Sequence, residues 1–346
     1  MSRDGGAFEP VLKALSADPT TEFGQPGAQV EMLNRIDGQF STVQRVRIRT
    51  QDRTLNAYAK ILKPYQDNAD ELARADRMLR REYNATSALY QALRQDTEIG
   101  AVRPLAFLPE HRALVTEEIP GRPFGELLAD ASQATDELLA VARRIGAWAR
   151  IYQALGESSG TVALSERRSY LDDRLALLEG RVLSSAERRA VLAQFDALAA
   201  EIGTPDVPAV PIHADLTPMN IIVDDNGRIA VLDFTMAKTG TIHHDLSHVY
   251  FHLELIGARR RHKRELMREL QRAMLAGFSP ALSAAEPLFK LMLMQHAVCH
   301  VALLAQRRVP VLDWLYRWYV GRRWRSCEPL FSTVPHALRG TGRPLY

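Results

Sequence analysis

The residues best placed to do chemistry fall in one stretch, Ile212-His213-Ala214-Asp215-Leu216-Thr217-Pro218-Met219-Asn220, followed after a turn by Leu232-Asp233-Phe234. Between them Asp225-Asn226-Gly227 separates two β-rich runs, residues 220–224 and 228–233. Asn-Gly in that setting is the strongest short hairpin signal. With Asn226-Gly227 as a two-residue turn, Asp225 faces Arg228 and Asn220 faces Asp233, about 5 Å apart at Cα. A carboxamide and a carboxylate are then presented together at the open end of one hairpin. Both offer hard oxygen ligands, which Mg²⁺ prefers; that ion takes few protein oxygens and completes its shell with water and substrate phosphates. Asp215, five residues upstream of Asn220, sits in the loop feeding the same end. A third acidic group beside a metal–phosphate site can receive a hydroxyl proton, which completes the parts needed for phosphoryl transfer to an alcohol.

Other site signatures fail. The chain has no GxxxxGK[ST], no Gly-Lys pair and no GxGxxG, which removes the P-loop and dinucleotide-binding readings. Gly156-Glu157-Ser158-Ser159-Gly160 matches the string of a hydrolase elbow, but that elbow needs a strand before it and here a helical pattern precedes it. His244, His248 and His252 stand at i, i+4, i+8 on one helical stripe. Such spacing can ligate zinc, and the expectation is instead a packed helix face beside Asp245. The two cysteines, Cys299 and Cys327, form no close pair, so neither a disulfide framework nor a thiolate zinc site is expected.

The elements around the motif follow from periodicity. Residues 1–35 read as irregular, with Pro10, Pro19 and Pro26 spread through them. Residues 40–49 alternate apolar and basic, as a half-exposed strand does, and residues 55–62 follow as a second strand. Residues 69–94 carry helical spacing through Leu72, Leu79, Tyr83, Leu89 and Leu93. Strands are expected at 101–108 and 113–119, before Pro120-Gly121 breaks the pattern. Beyond that point the chain reads as helical, over 132–155, 166–201 and from about 245 onward, with the hairpin as the interruption. The fold class is therefore α+β, a small β-rich part followed by a large helical part.

With these pieces in order, the chain resembles the aminoglycoside phosphotransferase and choline kinase family. The family's wording is close to His-Gly-Asp-Leu-His-Pro-Gly-Asn with a later Asp-Phe, where this chain has HADLTPMN and LDF. Ala214, Thr217 and Met219 depart from that wording at positions that carry no charge. The resemblance covers about residues 36–255 and implies a two-lobed protein-kinase-like fold, with a nucleotide-binding lobe over 1–118 and a helical lobe over 119–346 holding the catalytic loop and acceptor site. It implies ATP, or alternatively GTP, and Mg²⁺. Lys60 in AYAKIL matches the lysine that grips the α- and β-phosphates, and is preferred to Lys63 because Pro64 ends the strand there. Glu82 matches the helix glutamate that pairs with that lysine. Backbone groups of Glu117 and Ile119 would meet the nucleobase. Asn220 and Asp233 would hold the metal, Asp215 would act as the catalytic base, and His213 would hydrogen-bond within the catalytic loop. Asp245 matches the carboxylate that braces that loop. The nucleotide-covering loop, residues 35–41, has one glycine, Gly38, where protein kinases have three. Thr235 stands after Asp233-Phe234 in place of glycine.

Composition bounds the partners. The 346 residues are 46% hydrophobic and 25% charged, an ordinary globular balance. The net charge of +3 conceals an asymmetry: residues 251–346 carry 16 Arg and Lys against 6 Asp and Glu, and residues 1–250 carry 28 against 35. The basic part includes residues 258–272 and the stretch 314–325, where three tryptophans and two tyrosines interleave with four arginines. That stretch fits a solvated helix face, an anionic acceptor or an anionic membrane surface, and nucleic acid is the least favoured partner. Residues 1–10 lack the apolar core of a signal peptide, and residues 288–305 are interrupted by Lys290, Gln295, His296 and His300, so a buried helix is expected there. The expected setting is cytoplasmic, at most peripheral at the inner membrane face. The expected enzyme is a small-molecule kinase acting on a hydroxyl acceptor. The alternatives are a kinase of a lipid-linked or glycolipid alcohol, an aminoglycoside-resistance phosphotransferase, and a non-catalytic nucleotide-binding module.

Overall fold

The alternating residues 41–62 form the centre of an antiparallel sheet, and the other elements are placed by what they bury against it. The structure is a computed structural model describing residues 8–17, 23–25, 27–38, 40–64, 66, 68–156, 160–306 and 313–327. In chain order the elements are α1 (Glu9–Ala17), β1 (Gln29–Asp37), β2 (Ser41–Arg49), β3 (Thr54–Leu62), α2 (Ala69–Leu93), β4 (Pro104–Leu108), β5 (Ala113–Glu117), β6 (Arg122–Pro123), α3 (Phe124–Leu127) and α4 (Thr135–Ala154). They continue as β7 (Thr161–Ala163), α5 (Leu164–Ala176), α6 (Ser185–Ile202), β8 (Asp206–Ile212), β9 (Ile221–Val223), β10 (Ile229–Val231), β11 (Lys238–Thr241), α7 (His244–Arg259), α8 (Arg264–Phe278), α9 (Pro287–Gln306) and α10 (Asp313–Cys327). By packing the chain forms two units, Met1–Arg144 with His213–Lys238, and Ile145–Ile212 with Thr239–Tyr346.

In the first unit the strand order is β1-β2-β3-β5-β4, antiparallel throughout. Alternation sends Val46, Ile48, Leu55, Ala57 and Ala59 to one face, where Phe8, Val11 and Leu15 of the α1 region cover them. α2 packs through Ala75 and Leu79 with Leu62 and Leu114. Asn68 caps α2 by accepting from the Glu71 N–H, and Asp70 and Glu71 suit its first turn. The N-terminal stretch differs from the irregular segment expected. Pro10 falls in the first turn of α1, where its missing N–H is no loss. β1 is an edge strand with mostly exposed side chains, so it leaves no alternating apolar signal.

The hairpin forms where expected but in another register. Val223 pairs with Ile229 and Ile221 with Val231, which makes Leu232, not Asp233, the neighbour of Asn220; the Leu232 N–H donates to the Asn220 carbonyl at 2.8 Å. The loop holds three residues instead of two. The Asp224 carboxylate accepts from the Asn226 and Arg228 N–H groups, and Gly227 takes φ 75°, the geometry of a turn closed by a glycine bulge. β9 pairs on its other side with β6. Gly121, just before β6, has φ 140°, and a Cβ there would meet the Val223 carbonyl at 2.3 Å, so only glycine lets the chain pass.

The second unit is built on α9, whose contacts reach α5, α6, α7 and α10. α9 is long and apolar enough to cross a membrane by composition, and 67% of that window is buried within the chain, as in a core helix. A short sheet, β11-β8-β7, accompanies the helices; Pro208 and Pro211 hid β8 from the periodicity. In α10, Val320, Trp324 and Cys327 are buried at helical spacing while Arg322 and Arg325 are exposed. From residue 319 on, that is an apolar stripe with a solvated basic face. Glu157, Ser158 and Ser159 of the elbow-like string lie outside the described residues.

Candidate active site

Charge burial builds this site. Lys60 lies on β3 between Ala59 and Ile61, on the face opposite the α1 core. Glu82 lies on the buried stripe of α2 with Leu79, Thr86, Leu89 and Leu93. A carboxylate that is 5% exposed needs a partner, and Lys60 Nζ donates to its two oxygens at 2.9 and 3.0 Å. The same ammonium donates to Asp233 Oδ1 at 2.7 Å and to Thr235 Oγ1 at 2.5 Å. Burial alone would depress the Lys60 pKa, but the Glu82 and Asp233 carboxylates outweigh it and raise it above the ordinary value. Partial burial would raise Asp233; Lys60 above all, and then the Thr235 hydroxyl, reverse this and hold it at about 2. Lys63 instead meets Asp37 at 3.4 Å and the Gly38 carbonyl at 3.2 Å near the β1–β2 turn.

Asp233 reaches Lys60 although the hairpin register differs from the simple count. A one-residue slip turns a side chain to the other face. The backbone of Asp233 compensates by leaving the strand in the left-handed region, at φ 65° and ψ 67°. Ala214 has φ 65° too. Of the three non-glycine residues with positive φ among the described residues, Arg112 lies in a turn before β5, while Asp233 is a proposed site residue and Ala214 adjoins one, where strain of this kind is found at functional sites.

The loop between β8 and β9 is pinned by His213, which is fully buried. Its Nε2 lies 2.9 Å from the Leu232 carbonyl, and the Asp215 N–H lies 3.3 Å from its Nδ1. A carbonyl only accepts and an amide N–H only donates, so Nε2 carries the proton and Nδ1 accepts. Asn220 Nδ2 donates to the Asp215 main-chain carbonyl at 2.8 Å and approaches Asp215 Oδ2 at 3.3 Å. That commits the amide nitrogen and leaves Oδ1 as the atom able to ligate a cation. One amide oxygen and one carboxylate form a hard-oxygen donor set that fits Mg²⁺.

A cavity of about 440 Å³ opens beside these groups, lined by Lys60, Glu82, Asp233, Thr116, Ile222 and Leu232 among others. Glu117 and Ile119 also line it. The Glu117 and Glu118 N–H groups are committed to the Arg103 and Asn56 carbonyls. The Glu118 side chain accepts from Arg45 and Tyr58.

The structure thus brings together Lys60, Glu82 and Asp233, joins Asp215 to Asn220 through His213's loop, and sets Glu117 and Ile119 at the cavity. Asp245 belongs to the second unit, in the first turn of α7, 1% exposed and 3.4 Å from His244 Nδ1. His244, His248 and His252 form ring contacts with one another and with His296. Among the described residues no group of three or more His, Cys, Asp or Glu could hold a metal. Sequence reasoning missed Thr235 as a participant and Ile222 and Leu232 as cavity walls. Ile222 could have been found, because it lies two residues from Asn220 on a strand.

This arrangement defines a protein-kinase-like fold of α+β class with a paired lysine on its third strand. The profile of the phosphotransferase enzyme family (APH) matches residues 34–288, and the chain belongs to that family. No curated protein matches it by sequence. Among solved structures it is similar to a choline/ethanolamine kinase family protein from Mesorhizobium loti, at 16% identity and TM-score 0.53, covering 94% of this chain and 95% of that one. It is also similar to the ADP-bound aminoglycoside phosphotransferase APH(2'')-Ib, at 14% identity and TM-score 0.55, covering 95% and 99%. The streptomycin–ATP ternary complex of APH(2")-IIa matches at 14% identity and TM-score 0.53, covering 96% and 99%. At these identities the likeness establishes the fold.

Proposed function

We propose that this phosphotransferase moves the γ-phosphoryl group of a nucleoside triphosphate, ATP or alternatively GTP, to a hydroxyl of a small molecule. The observation that carries the reading is Lys60 Nζ within 3.0 Å of both Glu82 and Asp233, the latter 173 residues away in sequence. A buried ammonium already paired with two carboxylates is a charge that can be turned toward phosphate when Asp233 is drawn away. Lys60, held by Glu82, would position the α- and β-phosphates. Asn220 and Asp233 would hold Mg²⁺, which when bound neutralises phosphate charge. Asp215 would orient the acceptor hydroxyl and take its proton. The transition state of such a transfer is loose, so positioning and charge neutralisation matter more than base strength. Residues 1–118 would then serve the nucleotide and residues 119–346 the catalytic loop and acceptor. The acceptor is proposed to be anionic, because residues 251–346 carry the excess of basic side chains.

The test is ADP formation over a panel of phosphorylated, acidic, neutral and cationic alcohols, run beside a thermal shift with Mg-ATP. Wild type should show a shift and turnover with at least one acceptor, and Asp215→Ala should lose turnover while still melting cooperatively. An Asp215→Ala enzyme with full activity would remove Asp215 from the reaction. A thermal shift without turnover on any alcohol would favour a nucleotide-binding module.

A further inference from the structure

Thr235 sits where three charged side chains meet. Its Oγ1 is 2.5 Å from Lys60 Nζ, 2.6 Å from Asp233 Oδ1 and 2.9 Å from Glu82 Oε2, and the residue is buried. A hydroxyl has one proton to donate and two lone pairs. Lys60 can only donate, so it fills a lone pair. Asp233 and Glu82 are both acceptors, and one proton cannot serve both. The two carboxylates are not equivalent: the Asp233 side chain is 47% exposed and the Glu82 side chain 6% exposed. Asp233 can therefore turn outward, and Glu82 cannot.

We propose that Thr235 is a positioning residue whose hydroxyl is handed between the two carboxylates, donating to Asp233 in the ligand-free site and to Glu82 once Asp233 turns to a cation. The O–H bond stays intact; the hydroxyl rotates about its C–O bond, and Lys60 keeps its hold on Oγ1. The handover deepens the proposed function and rests on it. Its consequence is that releasing Asp233 leaves the Thr235 hydroxyl with a partner, because the proton finds Glu82 at once. Glycine, the protein-kinase residue here, has no group to do this.

Two measurements test it. In the ligand-free protein, Thr235→Val, which keeps the shape and cannot donate, should raise the unfolding equilibrium constant about tenfold, the size of one charge-assisted hydrogen bond. That loss of stability should persist in an Asp233→Ala background and in a Glu82→Ala background, since either carboxylate can take the proton, and vanish only where both are replaced, as double-mutant cycles read it. Mg-ADP affinity, measured by calorimetry, should agree within about twofold among wild type, Thr235→Ser and Thr235→Val, because the hydroxyl has a carboxylate partner in both states. Thr235→Ser should restore ligand-free stability and any lost kcat. A loss that vanishes in the Glu82→Ala background alone would show a hydroxyl committed to Glu82 alone. Mg-ADP binding about tenfold tighter in Thr235→Val would show one committed to Asp233 alone. Either result overturns the handover. A wild-type protein that fails to bind Mg-ADP would instead overturn the proposed function, and the nucleotide-free cycle keeps the two failures apart.

Discussion

Lys60 and His296 are both buried titratable groups, one in each unit, and the protein treats them in opposite ways. Lys60 keeps its charge because two carboxylates surround it. His296, whose ring stacks on His248 at 4.4 Å with 7° between planes, loses its charge. Burial first, and then His244, push its pKa well below the ordinary value. Its Nε2 approaches the His244 carbonyl at 2.9 Å and Ser247 Oγ at 3.1 Å. A buried charge held by exchangeable partners can trade one of them for a ligand. A neutral imidazole held by stacking and a carbonyl has no charge to trade. The first cluster is the one proposed to do chemistry, and the second packs as a helix face.

The largest expected effect breaks the first cluster. Asp233→Asn should reduce ADP formation about 10²–10³-fold, comparable to removing one charge-stabilising group from a transition state. An initial-rate assay at saturating acceptor checks it. The matching change in the second cluster, His296→Ala, should cost about 2–4 kcal/mol of stability through a cavity and a lost hydrogen bond. Turnover per folded molecule should stay within about twofold of wild type, the separation the comparison requires.

Acid should separate the clusters as well. His252 is held neutral, its pKa lowered to about 4 by burial first and then by Arg259. A lowered folded value means that its contribution to stability is present above the unfolded value, near 6.5, and is lost as pH falls from there toward 4. Asp233, held at about 2, contributes above an unfolded value near 3.9 and loses that contribution only as pH falls below it. Melting temperature should therefore begin to fall below about pH 6.5, and the His252→Gln variant should show a shallower fall between about pH 6.5 and 4. The smallest effect is at Lys63, whose ammonium faces Asp37 at the surface. Lys63→Ala should leave melting temperature and turnover unchanged within error, in contrast to any change at Lys60.

Much of this could be read from the residues. The motif around Asp215 and Asn220 carries a local signal, whereas Lys60 and Glu82 are legible through their order and spacing along the chain. The choice of Lys60 over Lys63 followed from Pro64 alone. The hairpin was legible but its register was not, because Asp224 caps the loop with its side chain and Gly227 adds a residue to the turn. Asp233 still arrives at Lys60 through a backbone conformation that its residue type does not announce. β1 lacked alternation because it is an exposed edge, and β8 hid behind two prolines. Thr235 stands out in the sequence as a replacement for glycine, but its role does not, since it depends on three partners, two of them more than 150 residues away.

Calorimetric titration of Mg-ATP into wild type and Lys60→Met tests whether the Lys60 cluster receives nucleotide phosphates. Wild type should bind one-to-one and need Mg²⁺, and Lys60→Met should bind at least tenfold more weakly under conditions where circular dichroism shows it folded. Equal affinity in the two folded proteins would contradict that role.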